Sequence, residues 1–195
     1  KKNLNTSLKL KVLTGKKDTC QQLVSGHANI PQILAVGVGK KREMNSETLR
    51  RTAGKAGKML TSLKAKKIGF VVTSHLQNTS ETDVGQVLVE GLTLGSYKFN
   101  QYKESHDEKS KLESIKIQCC DPENITSRKA LKTGKMRADG TNLARNLGNT
   151  PANDLKPKDL ASAAENIAKQ HKIDCTVLEE KQMKQLGMDM RLGVT

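Results

Sequence analysis

A strand, a helix and a second strand follow one another between Ile33 and Thr73, and that order leaves few folds open. Ile33–Val38 is a continuous apolar run ending in Gly37-Val38-Gly39, the pattern of a buried strand entering a tight turn. Asn45 or Ser46 then caps a helix, with Glu47 placing negative charge in its first turn. Leu49, Ala53, Ala56, Leu60 and Leu63 recur at helical spacing and leave the lysines and arginines outward. Ile68–Thr73 is β-branched and apolar, a second buried strand. Strands joined by a helix of this length predict a βαβ unit, whose two strands run parallel.

The rest of the chain continues the alternation. Leu4–Leu13 puts Leu8, Leu10 and Val12 opposite Lys9 and Lys11, a half-buried edge strand. Gly15–Ile30 is polar and turn-rich, with a short helical piece expected at Thr19–Val24. Ser80 and Asp83 open a helix that carries Val84, Val87, Leu88, Gly91, Leu94 and Gly95 inward. Ser105–Lys111 is a charged loop, and Leu112–Cys119 is a strand with one apolar face. A helix runs from about Glu123 to Leu147, weakened by Gly134 and Gly140. Beyond Pro157, Leu160, Ala163, Ala164, Ile167 and Ala168 mark an amphipathic helix; Ile173–Leu178 reads as a short strand and Glu179–Leu186 as a last helical turn or two. Arg191–Thr195 stops with neither cap nor closing turn and reads as a cut end. Alternation without an internal repeat predicts the α/β class, a three-layer αβα domain with a mostly parallel mixed sheet.

Composition narrows what such a domain does. Aromatic residues make up 2% of the chain and Trp is absent, so the core is built from Leu, Ile, Val, Ala and Met. No run approaches the ~20 apolar residues of a membrane span, and Lys1–Leu8 lacks the apolar centre of a signal peptide. Cys20, Cys119, Cys120 and Cys175 show no C-x-x-C spacing and fit a reducing compartment, so a cytoplasmic protein without a membrane partner is expected. Of a net charge of +14, Lys40–Lys67 holds an excess of +8, ten basic residues against Glu43 and Glu47. Lys40, Lys41, Arg42, Arg50, Arg51, Lys55 and Lys58 are therefore candidate nucleic-acid contacts, or else one solvated helix face. Tyr97, Phe99 and Tyr102 hold three of the four aromatics, and their spacing favours core or rim packing over base stacking.

Motifs for chemistry are missing. Five Gly-Lys pairs begin at Gly15, Gly39, Gly54, Gly57 and Gly134, and none is followed by Ser or Thr to complete a P-loop. Arg42 stands where a dinucleotide fingerprint needs its third glycine. His27, His75, His106 and His171 are far apart without metal-ligand spacing, and no G-x-S-x-G occurs. Neither catalytic nor metal-binding residues are assigned to this chain.

Asn142–Pro157, N-L-A-R-N-L-G-N-T-P-A-N-D-L-K-P, ends one helix and starts another. Pro151 and Pro157 fix φ and lack an N–H, so neither helix continues through the stretch; Pro157 suits a first helical position, with Asp159 in the first turn. By itself this is an interdomain linker. It also resembles the segment joining the two domains of the leucyl aminopeptidases of the M17 type. Ile33–Lys40 (I-L-A-V-G-V-G-K) and Glu90–Lys103 (E-G-L-T-L-G-S-Y-K-F-N-Q-Y-K) resemble that family's N-terminal domain, and Leu186–Met188 fits the approach to its catalytic domain. The likeness is weakest before Ile30. It departs at Lys156, where the family more often has Thr, so the helix start is expected to be looser.

The resemblance implies a macro-domain-like fold with residues 1–148 as the N-terminal domain, 149–157 as the connector, and 158–195 as the linker helix and start of a catalytic domain. It implies a metalloexopeptidase that removes N-terminal residues, Leu preferred, with two divalent metals (Zn or Mn) held by motifs such as N-T-D-A-E-G-R. That motif is absent here, and in the family the catalytic residues follow the point where this sequence stops. The fragment is then expected to be inactive, with a structural and assembly role; its partners would be its own catalytic domain, a homo-hexamer and peptide substrates. DNA or a phosphate ligand is the alternative partner, since some bacterial members bind DNA.

Overall fold

The computed structural model describes residues 13–72, 84–103, 114–119 and 128–188, which form two compact units dividing at Arg145/Asn146. In the first unit β1 (Cys20–His27) and β2 (Ile30–Val36) form an antiparallel hairpin, followed by a 3₁₀ turn at 41–43 and helix α1 (Ser46–Ser62). Strand β3 (Lys67–Val72), helix α2 (Val84–Gly95), strand β4 (Ser114–Cys119) and helix α3 (Arg128–Asn149) come next. The second unit begins within α3 and holds α4 (Pro157–His171) and α5 (Glu180–Gln185). The class is α/β, as expected.

The strand pairing differs from the expected βαβ ladder. Among the described residues β2 pairs with β1, while β3 pairs in parallel with β4 from Lys67↔Ser114 to Val72↔Cys119. The strands flanking α1 therefore sit in separate two-stranded ladders rather than side by side. A further correction concerns Thr19–Val24, expected to be helical: Cys20–Val24 is strand. Leu23 and Ser25 are half-buried while Gln22 and Val24 are exposed, a period of two that the glutamines conceal in the sequence. A register break between Val24 and His27 coincides with Gly26 at φ +71°. The apolar run of β2 is buried only toward its end, where Leu34 and Val36 pack against the core; Ile33 remains exposed.

The core lies between α1 and α2. Leu49, Ala53 and Ala56 from α1 meet Val84, Val87, Leu88 and Leu92 from α2, with Phe70 and Leu60 packed at the margin. Backbones approach closely because both helices place glycine at the crossing. A Cβ on Gly57 would fall 2.5 Å from the Leu92 carbonyl oxygen, and one on Gly95 would collide with the Gly54 carbonyl. The small-residue spacing of α1 is thus a helix-contact device. Asn45 caps α1, its side chain accepting from the Thr48 N–H at 2.9 Å, as the sequence anticipated.

In the second unit Lys156 precedes α4. Its side chain has no acceptor to complete a capping box, yet Asp159 Oδ2 accepts the Lys156 N–H at 2.8 Å, so the start is half-capped. Lys172 ends α4 in the left-handed conformation, φ +54°. Ile173–Leu178, expected to be a strand, is irregular and has no ladder partner among the described residues; Ile173 is exposed. Leu4–Val12, Ser105–Lys111 and the helix start at Ser80 and Asp83 lie outside the described residues.

Candidate nucleic-acid interface

Helix geometry sorts the seven candidate basic residues. With α1 packed on α2 through Leu49, Ala53 and Ala56, the opposite face carries Arg51, Lys55 and Lys58 in one exposed stripe. Lys40 precedes the 3₁₀ turn, and Lys41 and Arg42 are exposed on it. Arg50 does not belong to the stripe. It is half-buried and turned toward α2, where its Nε donates to Glu90 Oε2 at 3.0 Å and its Nη1 to Glu47 Oε2 at 2.5 Å.

Several of the other charges are also answered from within the chain. Arg51 Nε donates to Glu47 Oε1 at 2.8 Å. Lys55 Nζ lies 2.9 Å from Asp18 Oδ1, which ties α1 to the turn before β1. Arg42 and Glu43 form a loose pair at 3.7 Å. Lys41 and Lys58 have no ion pair among the described residues. The carboxyls register these neighbours: hydrogen bonds from Arg51 and then Arg50 hold Glu47 below its ordinary range, and that from Lys55 does the same for Asp18. Burial opposes the charge on Arg50, but its hydrogen bonds to Glu90 and Glu47 prevail and hold its pKa above the ordinary value.

The pairs Glu47–Arg50 and Glu47–Arg51 were legible at helical spacing, three and four residues apart. Glu90 and Asp18 were not, because each reaches α1 across the fold from a distant part of the sequence. Four of the ten basic residues of the +8 stretch, Arg42, Arg50, Arg51 and Lys55, are thus paired with carboxylates. Among the described residues Lys40, Lys41 and Lys58 are exposed without an ion pair.

The other motifs resolve as structure. Gly54 and Gly57 serve the α1–α2 contact, and Gly134 abuts the Gln86 backbone of α2. Gly37 takes the close approach of the Gly15–Thr19 turn, where the Gly37 N–H donates to the Thr19 carbonyl at 2.8 Å. His27 and His171 are both exposed; His75 and His106 lie outside the described residues. A shallow apolar cavity of about 140 Å³ is lined by Leu13, Thr19, Ala35 and Val36 among others, with no charged side chain among the described residues of its wall. Among the described residues no group of three or more His, Cys, Asp or Glu side chains could hold a metal ion, and no helix is long and apolar enough to cross a membrane.

The sequence model described as "Cytosol aminopeptidase family, N-terminal domain" matches residues 1–106, more than half of the chain. The chain belongs to the cytosol aminopeptidase family. The model of the cytosol aminopeptidase catalytic domain matches residues 142–195. Similar relatives include the probable cytosol aminopeptidases of Alkaliphilus oremlandii, 32% identical over 172 residues, and of Clostridium perfringens, 34% identical over 175 residues. These alignments cover 87% and 85% of this chain and 34% of each relative, so the chain spans about a third of the cytosol aminopeptidases it matches. Among solved structures, a tomato leucine aminopeptidase mutant superposes with TM-score 0.77 at 24% identity, covering 94% of this chain and 36% of that one. The bottromycin maturation enzyme BotP in complex with Mn gives 0.73 at 23%, covering 93% and 37%. Both share the fold.

Proposed function

We propose that these residues are the N-terminal, non-catalytic part of a leucyl aminopeptidase, with the connector and opening helices of its catalytic domain. The observation that carries this reading is the order of the two family matches, 1–106 and then 142–195, on a chain that spans 34% of its relatives. Within this reading 1–148 is the N-terminal domain, 149–157 the connector, and 158–195 the linker helix and start of the catalytic domain. The whole protein would release N-terminal residues from peptides, Leu preferred, in the cytoplasm and as a homo-hexamer, with these residues serving structure and assembly.

A metal-dependent reaction is supported by the manganese named for BotP. The residues described here do not fit such a site, because no three potential ligands converge. No catalytic step is therefore derived for this chain, and two Zn or Mn ions are assigned to the remainder of the catalytic domain. The test is hydrolysis of a leucine anilide by residues 1–195 with Mn²⁺ or Zn²⁺. No turnover is expected, and robust chelator-sensitive turnover would sink the assignment.

A second reading, a DNA- or phosphate-ligand-binding module, is favoured by the exposed stripe Arg51, Lys55, Lys58, in which Arg51 and Lys55 would exchange Glu47 and Asp18 for phosphates. Duplex binding that neutralises about six phosphates would weaken roughly 10³-fold between 50 and 200 mM salt. Changing Arg51, Lys55 and Lys58 to Glu would abolish it while sparing the half-buried Arg50. Absence of low-salt binding, or binding that survives the change, removes this reading.

A further inference from the structure

Within the first unit, Asn142 and Arg145 of α3 reach the end of α2. Helix α2 ends in V-E-G-L-T-L-G with no basic residue in its last turn, so nothing on the helix itself answers its negative pole. The Leu92 and Thr93 carbonyls accept locally from the Ser96 N–H at 3.0 Å and the Ser96 hydroxyl at 3.1 Å, and α3 adds donors of its own. Arg145 Nη1 donates to the Leu94 carbonyl at 3.1 Å, and Asn142 Nδ2 reaches the Thr93 carbonyl at 3.5 Å. Arg145 Nη1 also donates to Asn142 Oδ1 at 3.3 Å, which orients the amide. The guanidinium lies over the Tyr97 ring, 5.5 Å from its centroid.

The register of α3 explains how the two residues arrive there. Ala130, Gly134, Ala138, Asn142 and Arg145 recur at three- and four-residue intervals along one stripe. The small members are buried, and Gly134 sits against the Gln86 backbone near the start of α2. The polar members come where α2 exposes carbonyls.

We propose that Arg145, oriented with Asn142, is a tertiary C-cap that pins the first-unit end of α3 to the C-terminus of α2. Arg145 is a positioning residue in this role. The cap supplies the Leu94 carbonyl with a donor, and it does so from the last residue of the first unit.

Hydrogen exchange on the full 195-residue chain tests the pin. Arg145→Ala is expected to speed exchange about tenfold at two places, the end of α2 near Ser96 and residues 142–150. Amides in the middle of α1, around Ala53, should be unchanged. Unchanged exchange at 142–150 would overturn the proposal, and so would acceleration spread evenly through α1. Arg145→Lys is the second variant: it keeps a charge at the α2 terminus but loses the planar fork. It is expected to protect the end of α2 while leaving 142–150 fast. Wild-type exchange at 142–150 in the Lys variant would reduce the effect to charge alone and refute the pin.

Discussion

Helices α1 and α4 are both amphipathic and of similar length, 17 and 15 residues, yet they end up in different environments. Helix α1 buries Thr48, Leu49, Thr52, Ala53, Ala56 and Gly57 against a partner helix. Helix α4 buries Ala168 alone, and its Leu160 is 50% exposed. Among the described residues the difference lies in the partner rather than in the pattern. An apolar stripe states which face would be buried; a matching surface with room for close approach decides whether it is.

The largest effect tests the close approach itself. Gly95→Val would drive a side chain into the Gly54 carbonyl, at a cost of more than about 3 kcal/mol from overpacking, and the cooperative urea transition should be lost. A normal transition would mean that the α1–α2 contact is looser than drawn.

A matched pair of truncations sharpens the contrast. Leu92→Ala, at a fully buried site, should cost about 3 kcal/mol in a urea melt. Leu160→Ala on the half-exposed face of α4 should cost less than about 1 kcal/mol. Equal losses would abolish the distinction between the two helices.

Arg50→Met leaves Glu90, 9% exposed, without its ion partner, and about 2 kcal/mol should be lost because a buried carboxylate is left unpaired. Arg51→Met on the solvent stripe should cost under about 0.5 kcal/mol. The reverse order would put Arg50 outside the core. On α4, Lys156→Thr supplies the cap oxygen that lysine lacks and should stabilise the helix start by about 0.5–1 kcal/mol, read as slower exchange at Asp159 and Leu160. No change would mean that Asp159 already satisfies that terminus.

The smallest effect is electrostatic. Glu47 is held below its ordinary value of 4.5 by Arg51 and Arg50. A carboxyl depressed in the fold contributes stability above its unfolded pKa and loses it as pH falls through the folded value. Thermal melts from pH 6 to pH 3 should therefore fall less steeply for Glu47→Gln than for the parent chain. The difference should be slight, since Glu47 is 54% exposed. Identical slopes would remove Glu47 from the acid sensitivity of α1.

Much of the fold was legible because it rests on local rules. The Asn45 cap, the inward stripe of α1, the strand at Ile68 and the break at Pro151–Pro157 each follow from residue chemistry within a few positions. The misreadings at Thr19–Val24 and Ile173–Leu178 occurred where local preference is weak and pairing decides. The glutamines of β1 hide a strand that its hairpin partner stabilises, while the apolar residues after α4 find no ladder among the described residues.

The basic stretch divides in the same way. Composition and helical spacing alone determined that Arg51, Lys55 and Lys58 share one outward face. Only the tertiary structure turned Arg50 inward to Glu90, joined Lys55 to Asp18, and laid Arg145 over Tyr97 at the end of α2. Periodicity reports the angle at which a side chain leaves its own helix. It carries no information about which distant group waits there, and the energy of a charge depends on that group and on how much water the fold leaves between them.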